Sequence, residues 1–162
     1  WGMFFAHVGV AVTVLGITVL SGFGVERTFS LLPGETVPWS GYEVQLMQTT
    51  SVQGANYDGT QACFKLTRGS WSTEVCPEKR MYHVSNMMMS EAGIHANVFR
   101  DIYVALGEPL PGGAWSLRLS LKPGVRWIWL GGFLIVLGGG LAFFPVPWFS
   151  RRRLRMTMGQ EA

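Results

Sequence analysis

The stretch WGMFFAHVGVAVTVLGITVLSGFGV, residues 1–25, contains no Asp, Glu, Lys or Arg, and neither does WIWLGGFLIVLGGGLAFFPVPWFS, residues 127–150. Each is longer than the ~20 apolar residues that a helix needs to cross a bilayer. The sequence therefore predicts a membrane protein with one transmembrane helix at residues 1–25 and a second at residues 127–147. Of the 162 residues, 48% are hydrophobic and only 14% are charged, which excludes an ordinary soluble enzyme.

The distribution of charge predicts the orientation of the chain. Residues 26–126 balance nine basic side chains against nine acidic ones, whereas the tail at residues 148–162 carries four arginines and one glutamate. Basic residues next to a membrane helix are retained on the cytoplasmic side. We therefore expect a cytoplasmic basic tail and an extracytoplasmic domain at residues 26–126. Because the excess positive charge is a single cluster beside the membrane, the composition does not indicate nucleic-acid binding.

Residues 26–126 have the pattern of an all-β antiparallel domain. Short runs rich in Val, Thr, Tyr, Phe and Trp alternate with turn signals such as Ser40-Gly41 and Gly69-Ser70. The runs predict about seven strands, near residues 26–32, 36–39, 42–52, 60–68, 71–76, 98–106 and 114–122. Residues 82–97 fit either a strand or a short helix. Such a set of strands closes into a small barrel or a sandwich.

One hairpin can be assigned residue by residue. A two-residue turn at residues 69–70 with Gly first sets Phe64 opposite Val75 and Cys63 opposite Cys76. In this register the cysteines occupy a rung on which the side chains are close. Because an extracytoplasmic domain lies in an oxidising compartment, we predict a structural disulfide between Cys63 and Cys76 rather than a metal or catalytic pair.

The first predicted helix has two different faces. Glycine recurs every seven residues, at positions 2, 9 and 16, which lets a neighbouring helix approach closely. His7 lies on roughly the opposite side, in a stripe that continues at Ala11, Val14 and Thr18. It is the one ionisable side chain in either span. A histidine at membrane depth needs a partner, and a helix-to-helix hydrogen bond, a proton relay and metal or haem ligation all remain open from the residues alone.

Two further histidines and a run of methionines also invite a haem or copper interpretation. His83, His95 and Met87 to Met89 lie in the β domain, but no ligand spacing links them. Single histidines in strands are ordinarily surface or half-buried residues, and methionines fill irregular space. We assign no role to these residues.

Five stretches in unbroken order closely resemble the C-terminal part of the CcmF (CycK) family of cytochrome c-type biogenesis proteins. The stretches are GMFFAHVG at residues 2–9, QGANY at 53–57, PEKRMY at 77–82, FRDIYVALG at 99–107 and KPGVRWIWLGG at 122–132. The resemblance covers nearly the whole chain, apart from the Arg-rich tail. The cysteine pair is not part of the family pattern.

The resemblance implies a haem lyase subunit of the bacterial inner membrane, with the β domain in the periplasm. Such a protein helps to attach haem to the Cys-x-x-Cys-His motif of apocytochrome c, with the haem as the substrate. The implied partners are the haem chaperone CcmE, a CcmH-type subunit that handles apocytochrome thiols, and the apocytochrome itself. The family's membrane histidine aligns with His7, which implies that His7 is an axial ligand to a b-type haem that supplies electrons.

The second haem ligand is expected upstream of this chain, together with the family's Trp-rich loop and its flanking histidines. We therefore expect a piece of a larger multi-span protein, without catalytic residues of its own and not a complete lyase. Two alternatives come from other classes of protein. One is a membrane-anchored periplasmic scaffold without a cofactor, and the other is a quinol-oxidising b-type cytochrome subunit.

Overall fold

The computed structural model describes residues 1–143, and the predicted end of the second span and the basic tail at residues 148–162 lie outside the described residues. Contacts divide the chain into two units, one formed by Trp1–Leu15 with the chain from Trp127 onward, the other by Gly16–Arg126. The helices are α1 (Gly2–Phe23) and α2 (Val125–Phe143). The strands are β1 (Val25–Leu31), β2 (Thr36–Trp39), β3 (Tyr42–Gln53), β4 (Tyr57–Arg68), β5 (Trp71–Val75), β6 (Glu78–Tyr82), β7 (Met87–Glu91), β8 (Gly93–Ala96), β9 (Arg100–Pro109) and β10 (Trp115–Pro123).

Both helices are long and apolar enough, by length and composition, to cross a membrane. α1 has 22 residues and α2 has 19, and neither contains an acidic residue in its first turn or a basic residue in its last. Gly124 precedes α2 with a φ of 77°, a left-handed conformation that glycine adopts without a steric penalty. The two predicted apolar helices on either side of a β domain are therefore present.

The ten strands form two antiparallel sheets. One sheet has the order β1-β10-β9-β8, and the other has the order β2-β3-β4-β6-β7, with β5 also paired to β4. Side chains alternate between the core and the surface at the start of β3, as the period of a strand requires. The fold is a sandwich of two sheets, one of the two all-β arrangements that the sequence predicts.

The core lies between the two sheets. On β3 and β4 the buried side chains include Val44, Leu46 and Phe64, each with 0% exposure. They belong to the same cluster as side chains of β9 and β10 on the other sheet, namely Ile102, Val104, Leu106, Leu117 and Leu119. Burial of such a cluster is the dominant stabilising contribution in a domain of this size.

The structure has three strands where the sequence pattern predicts none or is ambiguous. Residues 82–97, which fit a strand or a short helix, contain β7 and β8, and β6 precedes them. β6 carries the charged run Glu78-Lys79-Arg80, which lacks the apolar alternation of a half-buried strand. It is a strand because β4 and β7 pair with it on both sides.

Candidate functional site

The two predicted faces of α1 are present in the structure. The glycines at positions 2, 9 and 16 are buried. A Cβ on Gly9 would lie 2.7 Å from the carbonyl oxygen of Gly131, and one on Gly2 would lie 2.7 Å from that of Gly138. Because no real side chain fits at that distance, the prediction of a close helix contact along this stripe is confirmed.

His7 lies on the face of α1 that α2 does not cover. All four members of its stripe, which are His7, Ala11, Val14 and Thr18, are exposed. The residues three positions before and after it in α1, Phe4 and Val10, are large apolar side chains that are 60% and 51% exposed. A polar ring among apolar side chains on a membrane-length helix marks a face that contacts another helix or a bound group.

The orientation of the His7 ring follows from one hydrogen bond. Nδ1 lies 2.7 Å from the carbonyl oxygen of Met3, one turn earlier in α1. A carbonyl oxygen only accepts, so Nδ1 carries the proton and donates, and the lone pair of the neutral ring is on Nε2. An N–H held by a backbone carbonyl is the arrangement that fixes the tautomer of a metal-ligating histidine. His7 thus offers one nitrogen with a free lone pair, Nε2, and this atom fits one axial ligand position of a haem iron.

The hairpin that carries the two cysteines has the predicted register. Phe64 pairs with Val75 across β4 and β5, and Gly69 in the turn has a φ of 59°. Cys63 and Cys76 are joined by a disulfide in the structure. Glu74 also lies close to both sulfurs. Bonded cysteines have no thiolate to offer a metal, so this group is a crosslink rather than a metal site.

The other histidines are in the β unit and have local partners. His83 Nε2 lies 3.0 Å from Asp58 Oδ2, with both side chains at least half exposed. The ring of His95 lies 4.9 Å from the indole of Trp71. Met87 to Met89 are the first three residues of the exposed edge strand β7. Within residues 1–143, neither histidine belongs to a cluster of His, Cys, Asp and Glu side chains that could hold a metal ion.

Two of the stretches that resemble the family, QGANY at residues 53–57 and PEKRMY at 77–82, contact each other in one sheet. Tyr57, from the first of them, pairs with Tyr82 across β4 and β6. The guanidinium of Arg80 lies 4.4 Å above the Tyr57 ring and donates to Glu78 at 2.8 Å. Hydrogen bonding with Tyr82, and then with Glu78, raises the pKa of Arg80 above its ordinary value. The charged run at residues 78–80 therefore contributes an ion pair and a cation–π contact to the pairing of β4 with β6.

The resemblance stretch at residues 99–107, which lies in β9 of the other sheet, contacts β6. Lys79 is 8% exposed, and its Nζ donates a 3.1 Å hydrogen bond to the carbonyl of Gly107. Lys79 also forms an ion pair with Glu108. A buried lysine needs such partners to offset the cost of removing its charge from water. The resemblance motifs of β6 and β9 thus include residues that connect the two sheets.

Sequence analysis missed one cluster of side chains at an end of the sandwich. It consists of Tyr42, Arg68, Trp71, His95 and Arg100, which line one cavity. The five residues come from five strands in two sheets, so no spacing along the chain predicts that they meet. One local signal is the aromatic residue Trp71 directly after the turn at residues 69–70.

Two helices of membrane-spanning length, joined in sequence to an antiparallel sandwich and carrying one outward-facing imidazole, define the class as a β-sandwich protein with two apolar helices. The family model described as "CcmF C-terminal beta-sandwich" matches residues 22–123. The chain therefore belongs to the CcmF family and corresponds to its C-terminal region.

Curated relatives agree with this assignment over almost the whole chain. The cytochrome c-type biogenesis protein CcmF of Pseudomonas aeruginosa is 46% identical over 143 residues, which are 88% of this chain and 22% of the relative. CcmF of Escherichia coli is 43% identical over 163 residues, which are 100% of this chain and 25% of the relative. The chain thus spans about a quarter of the length of these relatives.

A solved structure has the same fold. The structure named "Cytochrome c Heme Lyase CcmF" superposes with a TM-score of 0.74 over 89% of this chain and 24% of its own, at 20% sequence identity. At that identity the match supports the arrangement of helices and strands, and the family assignment stands on the sequence matches.

Proposed function

We propose that this chain is the C-terminal part of a haem lyase subunit that helps to attach haem covalently to the Cys-x-x-Cys-His motif of apocytochrome c. The proposal is supported by the family assignment and by the names of the relatives, which are cytochrome c-type biogenesis proteins. In the reaction, each cysteine S–H adds across a vinyl C=C of the haem, so that one thioether C–S bond and one C–H bond form. The thiols and the haem iron must be reduced for this addition. Electrons must therefore be delivered to the site at which haem is attached.

The observation that carries the proposal is the geometry of His7. Its Nδ1–H is held by the Met3 carbonyl at 2.7 Å, and its Nε2 belongs to a ring on the exposed face of an apolar helix. We assign Nε2 as one axial ligand of a b-type haem, with the second ligand from another segment of the intact protein. A haem bound there would supply one-electron chemistry, and the role of His7 would be to hold its iron.

The proposed placement follows from the two spans and the charge of the tail. α1 and α2 cross the bacterial inner membrane, residues 26–126 lie in the periplasm, and the arginines at residues 151–155 hold the C-terminus in the cytoplasm. In that compartment the Cys63–Cys76 crosslink is stable and structural. The β domain then faces the periplasmic partners, for which we propose the haem chaperone CcmE, a CcmH-type subunit and the apocytochrome.

The lyase proposal is tested by complementation of a strain that lacks the gene for the intact protein. Covalent haem on a reporter cytochrome c is measured by haem staining after denaturing electrophoresis. His7→Ala is expected to lower the stained product at least tenfold, whereas His83→Ala, which changes a half-exposed histidine of the β unit, is the matched control. Equal staining from His7→Ala and the unchanged protein, at equal protein levels, would overturn the role of His7.

A further inference from the structure

A cavity of about 450 Å³ opens at one end of the sandwich. Its walls come from the start of β3, the hairpin of β4 and β5, and the turn that joins β8 to β9. This volume lies within the usual range for small-molecule sites, ~300–1,000 Å³. The residues that determine its chemistry are Tyr42, Arg68, Trp71, His95, Asn97 and Arg100.

Two cations face this cavity around one tyrosine. The guanidinium carbons of Arg68 and Arg100 lie 5.3 and 5.4 Å from the centre of the Tyr42 ring. Neither arginine forms an ion pair with a carboxylate in the described part of the chain. The acid next to Arg100 in sequence, Asp101, is already paired with Arg126 at 3.2 Å. Two uncompensated guanidinium groups in one small concave site favour an anion and disfavour a metal cation.

The remaining walls are flat and aromatic. Tyr42 is only 4% exposed, and the Trp71 ring meets it edge to face at 6.0 Å. The His95 imidazole also contacts Trp71, with the ring centres 4.9 Å apart. Trp71 itself is 38% exposed, so it offers an open indole surface to a bound ring.

We infer that this pocket binds the carboxylate-bearing edge of a planar aromatic ligand, with Arg68 and Arg100 on the carboxylates and Trp71 against the ring. Arginine pairs with carboxylates through two parallel N–H donors, which a point charge such as lysine does not provide. The assignment of the ligand as a porphyrin, through its propionates, rests on the proposed haem lyase function. The pocket would then hold a porphyrin on the sandwich, at a site separate from His7.

Iron-free protoporphyrin IX tests the pocket independently of His7, because without iron it has nothing for an imidazole to ligate. The full chain in detergent micelles is titrated with this porphyrin and with its dimethyl ester, and binding is followed by the shift of the porphyrin's visible absorption band. The acid is expected to bind at least tenfold more tightly than the ester. Arg68→Gln with Arg100→Gln is expected to remove that difference.

The matched control carries the same loss of two charges elsewhere on the β unit. Arg27→Gln with Lys65→Gln changes two exposed cations that do not line the pocket and is expected to leave binding unchanged. Arg68→Lys with Arg100→Lys keeps both positive charges and is expected to weaken binding by a smaller factor. Equal affinity for acid and ester, or equal losses in the pocket and control variants, would overturn the inference. His7→Ala is expected to leave the binding of iron-free porphyrin unchanged. This titration therefore tests the pocket alone, and a wrong assignment of His7 as a haem ligand would not change its result.

Discussion

Gly9 and Gly131 present their backbones to each other across α1 and α2. A Cβ on Gly9 would lie 2.7 Å from the Gly131 carbonyl oxygen, and a Cβ on Gly131 would lie 2.6 Å from that of Gly9. This contact sets which side of α1 is covered. Because Gly9 faces α2, His7 faces away from it, and the imidazole is available to a partner outside the helix pair.

We expect Gly9→Ala to destabilise the helix pair by about 1–3 kcal/mol, since the added methyl group forces the two backbones apart. Thermal unfolding of the chain in detergent micelles measures the effect. Gly132→Ala, on the same helix as Gly131, is the matched control because nothing lies within 4 Å of its Cβ position. The control is expected to be neutral or stabilising by up to about 1 kcal/mol, from the higher helix propensity of alanine.

An unchanged melting temperature for Gly9→Ala would contradict the close contact. A loss of stability shared equally by Gly9→Ala and Gly132→Ala would also contradict it, because it would reflect a general intolerance of α1 and α2 to substitution.

Reduction of the Cys63–Cys76 crosslink is expected to destabilise the β domain by about 3 kcal/mol, which is the loop-closure contribution of a bridge that spans ~15 residues. The disulfide connects residues 13 apart in sequence. The measurement is the unfolding midpoint with and without a phosphine reductant. The double variant Cys63→Ala, Cys76→Ala is expected to show the lower unfolding midpoint both with and without the reductant. If the reductant still lowered the midpoint of this variant, the account would be contradicted.

Local signals predicted the parts of this protein that depend on residues near each other in sequence. The two faces of α1 follow from a helical period, and the register of the β4–β5 hairpin follows from a glycine turn at residue 69. The all-β class, as a barrel or a sandwich, follows from regularly spaced strand and turn signals. In each case the prediction rests on a pattern of residues that is visible along the chain.

The missed features depend on contacts between distant segments. β6 is charged, and its strand conformation comes from its pairing with β4 and β7 rather than from its own composition. The cavity residues Arg68 and Arg100 are brought to the same tyrosine by the packing of two sheets. Neither arrangement has a signature within one window of sequence.

The proposed topology predicts opposite labelling of two sites in the intact protein. Val84, which is 93% exposed, lies in the β unit, so Val84→Cys is expected to react with a membrane-impermeant maleimide in whole cells. Gln160→Cys, in the basic tail, is expected to react only after the inner membrane is opened. Labelling of Gln160→Cys in intact cells would reverse the orientation that we infer from the arginines at residues 151–155.

The central claim is that the His7 imidazole holds haem iron, and the absorption spectrum of the full-length protein tests it most directly. We expect the dithionite-reduced protein, purified in detergent, to show the bands of a low-spin b-type haem. These bands should be lost in His7→Gly, return when free imidazole is added to that variant, and persist in His83→Ala. A colourless full-length protein from cells with normal haem synthesis, or an unaltered spectrum in His7→Gly, would contradict the account.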